Sequence, residues 1–220
     1  MEGAQGSRRV SPSRRDIRVI LLILVVLGAF SGAGLAYFNK GLYLLPAKMC
    51  DGTLDRDTVK QVLPRARSAD TGSSDRSAEH GRTFSCYVTT SNHSSLSGGA
   101  QVQSTSREKW IESYRGSRGS GEIIRVTSGD IQAVAQMDSS AGTSSVYIPC
   151  ALPGVPSADA SQSYAVVGEA RVYGRAKASG VPLRQALTDF AYQLTRHAYE
   201  LAECKNHRAF PEKLPRYRER

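Results

Sequence analysis

Hydrophobic positions fall along this chain in three rhythms, and each predicts a different kind of element. Residues 19–38 (VILLILVVLGAFSGAGLAYF) are an unbroken run of twenty without a charge. A helix of that length rises about 30 Å, the thickness of a bilayer's hydrocarbon core. Around residue 84 the rhythm becomes alternation. In RTFSCYVTT, Phe84, Cys86 and Val88 interleave with Thr83, Ser85 and Tyr87, which predicts a strand with Cys86 on its buried face. From Pro182 to about Cys204 the spacing becomes helical: Leu183, Leu187, Phe190, Leu194, Ala198 and Leu201 trace one stripe that Cys204 continues. Pro182 suits the first turn of that helix.

Weaker patterns fill the interval. Thr53 as cap, Asp55 and Asp57 at the positive end and Pro64 as stop predict a short helix over LDRDTVKQVL. Residues 65–82 are polar and rich in Gly and Ser, which predicts a mobile loop. GGAQVQS is a partner strand reached through the turn-like SNHSSLSGG. Thr105 and Glu108 form a capping box before a helix carrying Trp110, Ile111 and Tyr114. EIIRVT, IQAVAQM and SSVYIPC predict three strands with hairpin turns at Ser128-Gly129-Asp130 and Ser139-Ser140-Ala141-Gly142. SYAVVGEARVYG is a longer strand in which Gly168 is expected at a bulge. The sum is an α+β fold: an N-terminal transmembrane helix, then an extracytoplasmic antiparallel sheet of five or six strands covered by helices on one face and braced by disulfides.

Charge orients the apolar run. Arg8, Arg9, Arg14, Arg15 and Arg18 precede it and outnumber Lys40 and Lys48 beyond, so residues 1–18 form a basic cytoplasmic tail and residues from about 39 onward are exported. The expected layout is a signal anchor at 19–38, a juxtamembrane connector at 39–49, an exterior domain at 50–205 and a basic, disordered tail at 206–220. Cleavage is the alternative, because Gly34-Leu35-Ala36 offers a small-x-small site and would release a secreted protein. Within the run Gly28, Gly32 and Ala36 share one helix face. Such a face lets two membrane helices approach closely, toward a protein partner or a second copy of the chain.

The exported part carries 24 Lys and Arg against 18 Asp and Glu, and six of those basic residues lie in the last sixteen positions. The near-neutral body excludes a dedicated nucleic-acid groove. The basic end suits anionic lipid or an anionic envelope polymer. All four cysteines, Cys50, Cys86, Cys150 and Cys204, are exported, which predicts disulfides. Sequence allows three pairings, and the sequential one, Cys50–Cys86 with Cys150–Cys204, is favoured because each bond joins a helix-like segment to a strand-like one. Cys204-x-x-His207 is a lone half-site, so no metal is expected.

No catalytic residue and no cofactor is expected either. Gly116 to Gly121 resembles a phosphate loop, yet it lies between a helix and a strand, the reverse of the required order. Neither G-x-S-x-G nor H-E-x-x-H occurs. His80, His93 and His207 sit in polar sequence, and His197 edges the apolar stripe as a packing residue. Asp55 and Asp57 do not share a helix face. Asn92-His93-Ser94 is a glycosylation sequon.

The arginine-rich tail with its single span, the Cys50-Asp51-Gly52-Thr53-Leu54 start running to Leu63-Pro64, and the Phe84-Ser85-Cys86 strand together resemble a group of actinobacterial membrane-anchored or secreted proteins. The resemblance implies a compartment and no particular chemistry. Three functions compete: a non-enzymatic exterior binding domain, an envelope-directed hydrolase, and an accessory subunit of a membrane complex.

Protease added to intact protoplasts is expected to digest residues 39–220 and spare the anchor with its short tail. A mature chain beginning near Tyr37 in the culture medium would establish cleavage instead.

Overall fold

The structure, a computed structural model, describes residues 21–25, 40–78, 81–116, 123–137, 142–153, 163–205 and 208–218. The chain separates into two units, Met1–Asn39 and Lys40–Arg220. Of the first, only residues 21–25 are described, as helix with exposed apolar side chains. The rest of the run 19–38, with Gly28, Gly32 and Ala36, lies outside the described residues. No helix among the described residues is long and apolar enough to cross a membrane.

The second unit opens with a 3₁₀ turn, Gly41–Tyr43, and two short strands, β1 (Lys48–Met49) and β2 (Leu54–Asp55), which lead into helix α1 (Arg56–Val62). Strands β3 (Ala69–Ala78), β4 (Gly81–Thr90) and β5 (Ser95–Ser104) follow as a meander. Helix α2 (Arg107–Gly116) then carries the chain to β6 (Ile123–Ser128), β7 (Ile131–Met137), β8 (Gly142–Pro149) and β9 (Tyr164–Tyr173), and helix α3 (Gly180–Leu201) comes last. The seven long strands form one sheet in the order β3-β4-β5-β9-β8-β7-β6, antiparallel throughout. Two meanders start at opposite edges and meet where β5 pairs β9 over ten residues.

Alternation assigns the two faces. Phe84, Cys86, Val88, Leu96, Ala100, Ile148, Val166, Ala170 and Val172 point toward α3, which lays Leu187, Phe190, Ala191 and Leu194 on them. Residues of opposite parity on β7, β8 and β9 (Val134, Tyr147, Ala165 and Val167) pack under Trp110 and Tyr114 of α2. Helices therefore cover both faces, not one, because Trp110 and Tyr114 need a second apolar surface and α3 already occupies the first. The β6–β7 hairpin turns at Gly129 with φ 62°, backbone that glycine adopts without a side-chain clash.

Glycine governs how closely α3 seats. A Cβ on Gly98 would strike Leu194 Cδ1 and Phe190, and one on Gly168 would strike Thr195 Oγ1 and come within 3.0 Å of the Ala191 carbonyl. Gly168 is not at a bulge. Its pairing with Val146 and Ala100 is unbroken, and its role is to admit the helix.

Other differences from the sequence pattern have local causes. Residues 69–78 form an edge strand rather than a loop. Their polar side chains need no apolar neighbours, since β3 is held by its backbone ladder to β4 and none of its described side chains is buried. Thr53 does not cap α1; its hydroxyl donates to the Cys50 carbonyl at 2.7 Å, and the chain passes through β2 first. Ser106, one residue beyond Thr105, caps α2 by accepting from the Lys109 N–H at 3.3 Å. The disordered tail expected over 206–220 is also corrected for its described part, residues 208–218. Leu214 and Tyr217 are buried against α3, the Tyr217 N–H donates to Gln185 Oε1 at 3.1 Å, and Tyr192 donates to the Pro211 carbonyl at 2.7 Å. The three-residue step from Leu214 to Tyr217 turns both inward and leaves Lys213 and Arg216 exposed.

Both disulfides take the sequential pairing, Cys50–Cys86 with Cα atoms 5.7 Å apart and Cys150–Cys204 with 5.3 Å. The first ties the segment before β2 to β4, and the second ties the end of β8 to the exit of α3. With sequence separations of 36 and 54, each contributes about 4 kcal/mol by loop-closure entropy.

Gly168→Ala is expected to lower the unfolding free energy by about 1–3 kcal/mol through overpacking. Gly99→Ala on the opposite face, whose new methyl would meet the Phe84 carbonyl at 3.4 Å, should change it by less than about 1 kcal/mol. Denaturant unfolding of the oxidised protein reads both.

Candidate functional site

The residues singled out in the sequence do not converge. His197 is half-buried on α3, its ring edge-on to Phe84 with centroids 4.6 Å apart, in keeping with a packing role. His93 lies in the β4–β5 turn at φ 61°. His80 and His207 fall outside the described residues, as does the glycine-serine stretch from residue 117. Asp55 pairs with Lys48 across the β1–β2 ladder at 2.8 Å and makes no capping bond to α1, while Asp57 pairs with Lys60 within α1 at 3.0 Å, so both carboxylates are engaged locally. Cys204 is spent in a disulfide, which dissolves its half-site with His207. The sequon asparagine is engaged as well: Asn92 Nδ2 donates to the Arg65 carbonyl at 3.1 Å, and Oδ1 accepts from the Thr90 hydroxyl at 2.5 Å.

The sheet supplies a site that the motifs do not announce. α2 covers only the β7-β8-β9 half of its face. Beyond that cover, β4, β5 and β9 line a hollow of about 340 Å³, near the lower end of small-molecule sites, which run about 300–1,000 Å³. Register arranges its floor in rows: Ser97 faces Arg171, Gly99 faces Glu169, and Gln101 faces Val167. Thr83 on β4 and Gln103 and Tyr173 at the ends of the rows complete it. Gly99 leaves the floor low between taller neighbours.

Charge in the hollow is balanced internally. Arg171 Nη2 donates to Glu169 Oε2 at 2.6 Å, the two side chains being side by side because residues i and i+2 of a strand share a face. Burial pushes Glu169 above the ordinary glutamate range even with the guanidinium beside it. The burial comes from the α2 wall, where Trp110 Nε1 donates to Ser145 Oγ at 3.0 Å, directly across from Glu169, and the Tyr114 hydroxyl donates to the Thr143 carbonyl at 3.1 Å. Burial and the Glu169 charge together raise the Tyr114 phenol.

Chemically, the hollow offers hydroxyl, amide and phenol groups around one satisfied ion pair. Such a set can orient a polar ligand. Among its lining residues Glu169 is the lone carboxylate, so the pair of carboxylates that glycoside hydrolysis ordinarily uses is not assembled in it. The described residues contain no cluster of three or more His, Cys, Asp or Glu side chains able to hold a metal ion. The chain matches no protein-family model, no curated protein and no solved structure.

Sequence reasoning missed this site. Its signal was period-two polarity in two strands, Ser97, Gly99, Gln101 and Gln103 in one and Glu169 with Arg171 in the other. That pattern marks an outward face without saying whether a helix covers it.

Because its folded pKa is raised, Glu169 binds its proton more tightly in the folded chain than in the unfolded one. Its contribution to stability is greatest at low pH and falls as pH climbs from the ordinary value of 4.5 through the raised one. Subtracting the melting-temperature profile of Glu169→Gln from that of the unaltered protein should leave this downward slope. A difference that rises with pH would instead mean that Arg171 outweighs burial.

Proposed function

We propose that this chain is a membrane-anchored protein whose exterior α+β domain binds rather than catalyses, and that the hollow on the half-covered sheet face is its binding site. The observation that carries the reading is the Glu169–Arg171 pair set among Ser97, Gln101, Gln103 and Tyr173 on a face that α2 leaves open. A half-shielded ion pair on a polar sheet surface adds little to folding, since solvent screens much of its attraction. Placed beside uncommitted hydroxyl and amide positions it is well suited to orienting a ligand.

Two further features support the compartment. Disulfides persist in oxidising surroundings, and this domain holds two. The uncharged run at 19–38 behind five arginines would place the domain outside the membrane. The tail at 208–218 is folded onto α3, so the partner is not recruited by a free basic arm.

In a strain lacking the gene, expression of Gln101→Ala or Arg171→Ala, each with an unchanged melting curve, is expected to fail to restore the deletion phenotype. His197→Ala should restore it in full, since that ring packs on Phe84 and takes no part in the hollow. Complementation by Gln101→Ala would overturn the reading, and loss in His197→Ala beside it would point to chemistry at the histidine.

A further inference from the structure

Resting on the binding reading above, we infer that the ligand is a neutral, hydroxyl-rich glycan segment. Three properties of the hollow select this class over the alternatives. Its charge is already cancelled, because Arg171 holds Glu169 at 2.6 Å, so a polyanion would have to break that pair to gain a cation. Its floor is the interior of a ladder: β5 is paired to β4 and β9 on both sides, so its N–H and C=O groups are committed and a peptide backbone laid on it finds no main-chain partners. What remains is a row of side-chain groups that both donate and accept. Gln101 and Gln103 amides, Ser97 and Thr83 hydroxyls and the Tyr173 phenol match sugar hydroxyls, which do the same.

The aromatic residues supply the apolar half of such recognition. A sugar ring has a C–H face that lies against aromatic rings while its hydroxyls reach polar groups at the rim. Tyr173, at one end of the hollow, is half exposed, and so is Tyr87 on β4, across the strand from Ser97 of the lining. Tyr87 does not stand out from the sheet. A Cβ on Gly72 would be 2.5 Å from its hydroxyl oxygen and 2.6 Å from its Cζ, so the ring reclines across β3 in the space that glycine leaves free. The register sets these two residues two strands and two residues apart, about 12 Å, with Ser97 and Arg171 between them. That distance suits a short run of sugar rings crossing the strands.

The test uses the full-length oxidised protein in micelles of a non-glycosidic detergent. Isothermal titration is run with three neutral tetrasaccharides (β1,4-linked N-acetylglucosamine, α1,4-linked glucose and α1,6-linked mannose), with inorganic polyphosphate, and with a Ser/Ala octapeptide. At least one tetrasaccharide is expected to bind saturably. Gln101→Ala and Tyr173→Ala should each weaken it about fivefold or more, the loss of one ordinary contact, with the melting curve unchanged. Affinity should change little with salt, since no net charge is neutralised.

Sugar binding that survives both substitutions would overturn the assignment of the site. Polyphosphate or peptide binding with silent sugars would overturn the ligand class while leaving the hollow a binding site. Silence of every probe overturns the glycan assignment too, and complementation then separates the claims. Loss of function in Gln101→Ala keeps the binding reading, and full function in Gln101→Ala removes that reading as well.

Discussion

The close seat of α3 on the middle of the sheet is the contact on which the rest of the α+β domain depends. Gly98 and Gly168 lie on adjacent central strands under Leu194, Phe190 and Thr195, and without Cβ atoms there the helix backbone comes down onto the ladder itself. Close approach drives the packing: Leu187, Phe190, Ala191 and Leu194 meet β4, β5, β8 and β9 together. Removal of those side chains from water is the main favourable term, about 25 cal/mol for each Å² of apolar surface. Both disulfides and the C-terminal segment attach around this seat, Cys86 beneath it, Cys204 at its exit and Tyr217 against Thr188 at 3.0 Å.

Full cover of one face has a consequence for the other. Among the described residues one helix of ten, α2, is left to shield the second face, and it spans the β7-β8-β9 half. The chain fills the boundary with Trp110 and Tyr114, whose polar tips are satisfied by Ser145 and by the Thr143 carbonyl. Where that cover stops, Glu169 and Arg171 stand half-shielded. The hollow and its perturbed carboxylate thus arise from one cause, a sheet wider than its second cover.

Legibility followed the strength of local signals. The stripe from Leu183 to Leu201 announced α3, and alternation around Phe84, Cys86 and Val88 announced β4, because burial on a single face imposes a period that survives in the sequence. β3 was invisible for the complementary reason: an edge strand of Ala, Asp, Thr, Gly, Ser and Arg buries no described side chain, and backbone hydrogen bonds leave no mark on composition. The tail from Arg208 misled through its charge. Its lysines and arginines dominate the count, while Phe210, Leu214 and Tyr217 do the packing. Gly168 stands out in the sequence without showing why, since a bulge and a helix contact both call for a missing Cβ and only the fold separates them.

By itself the sequence determined the α+β class, the presence of disulfides among its four cysteines and the amphipathic helix that closes the domain. Each rests on spacing within a short stretch or on a small set of alternatives. The tertiary structure alone decided which face of the sheet each helix covers, that β5 meets β9, and therefore that Ser97, Gly99, Glu169 and Arg171 share one surface. Those residues are about seventy positions apart, and only a non-local ladder, whose register is set by packing against α3, could bring them together.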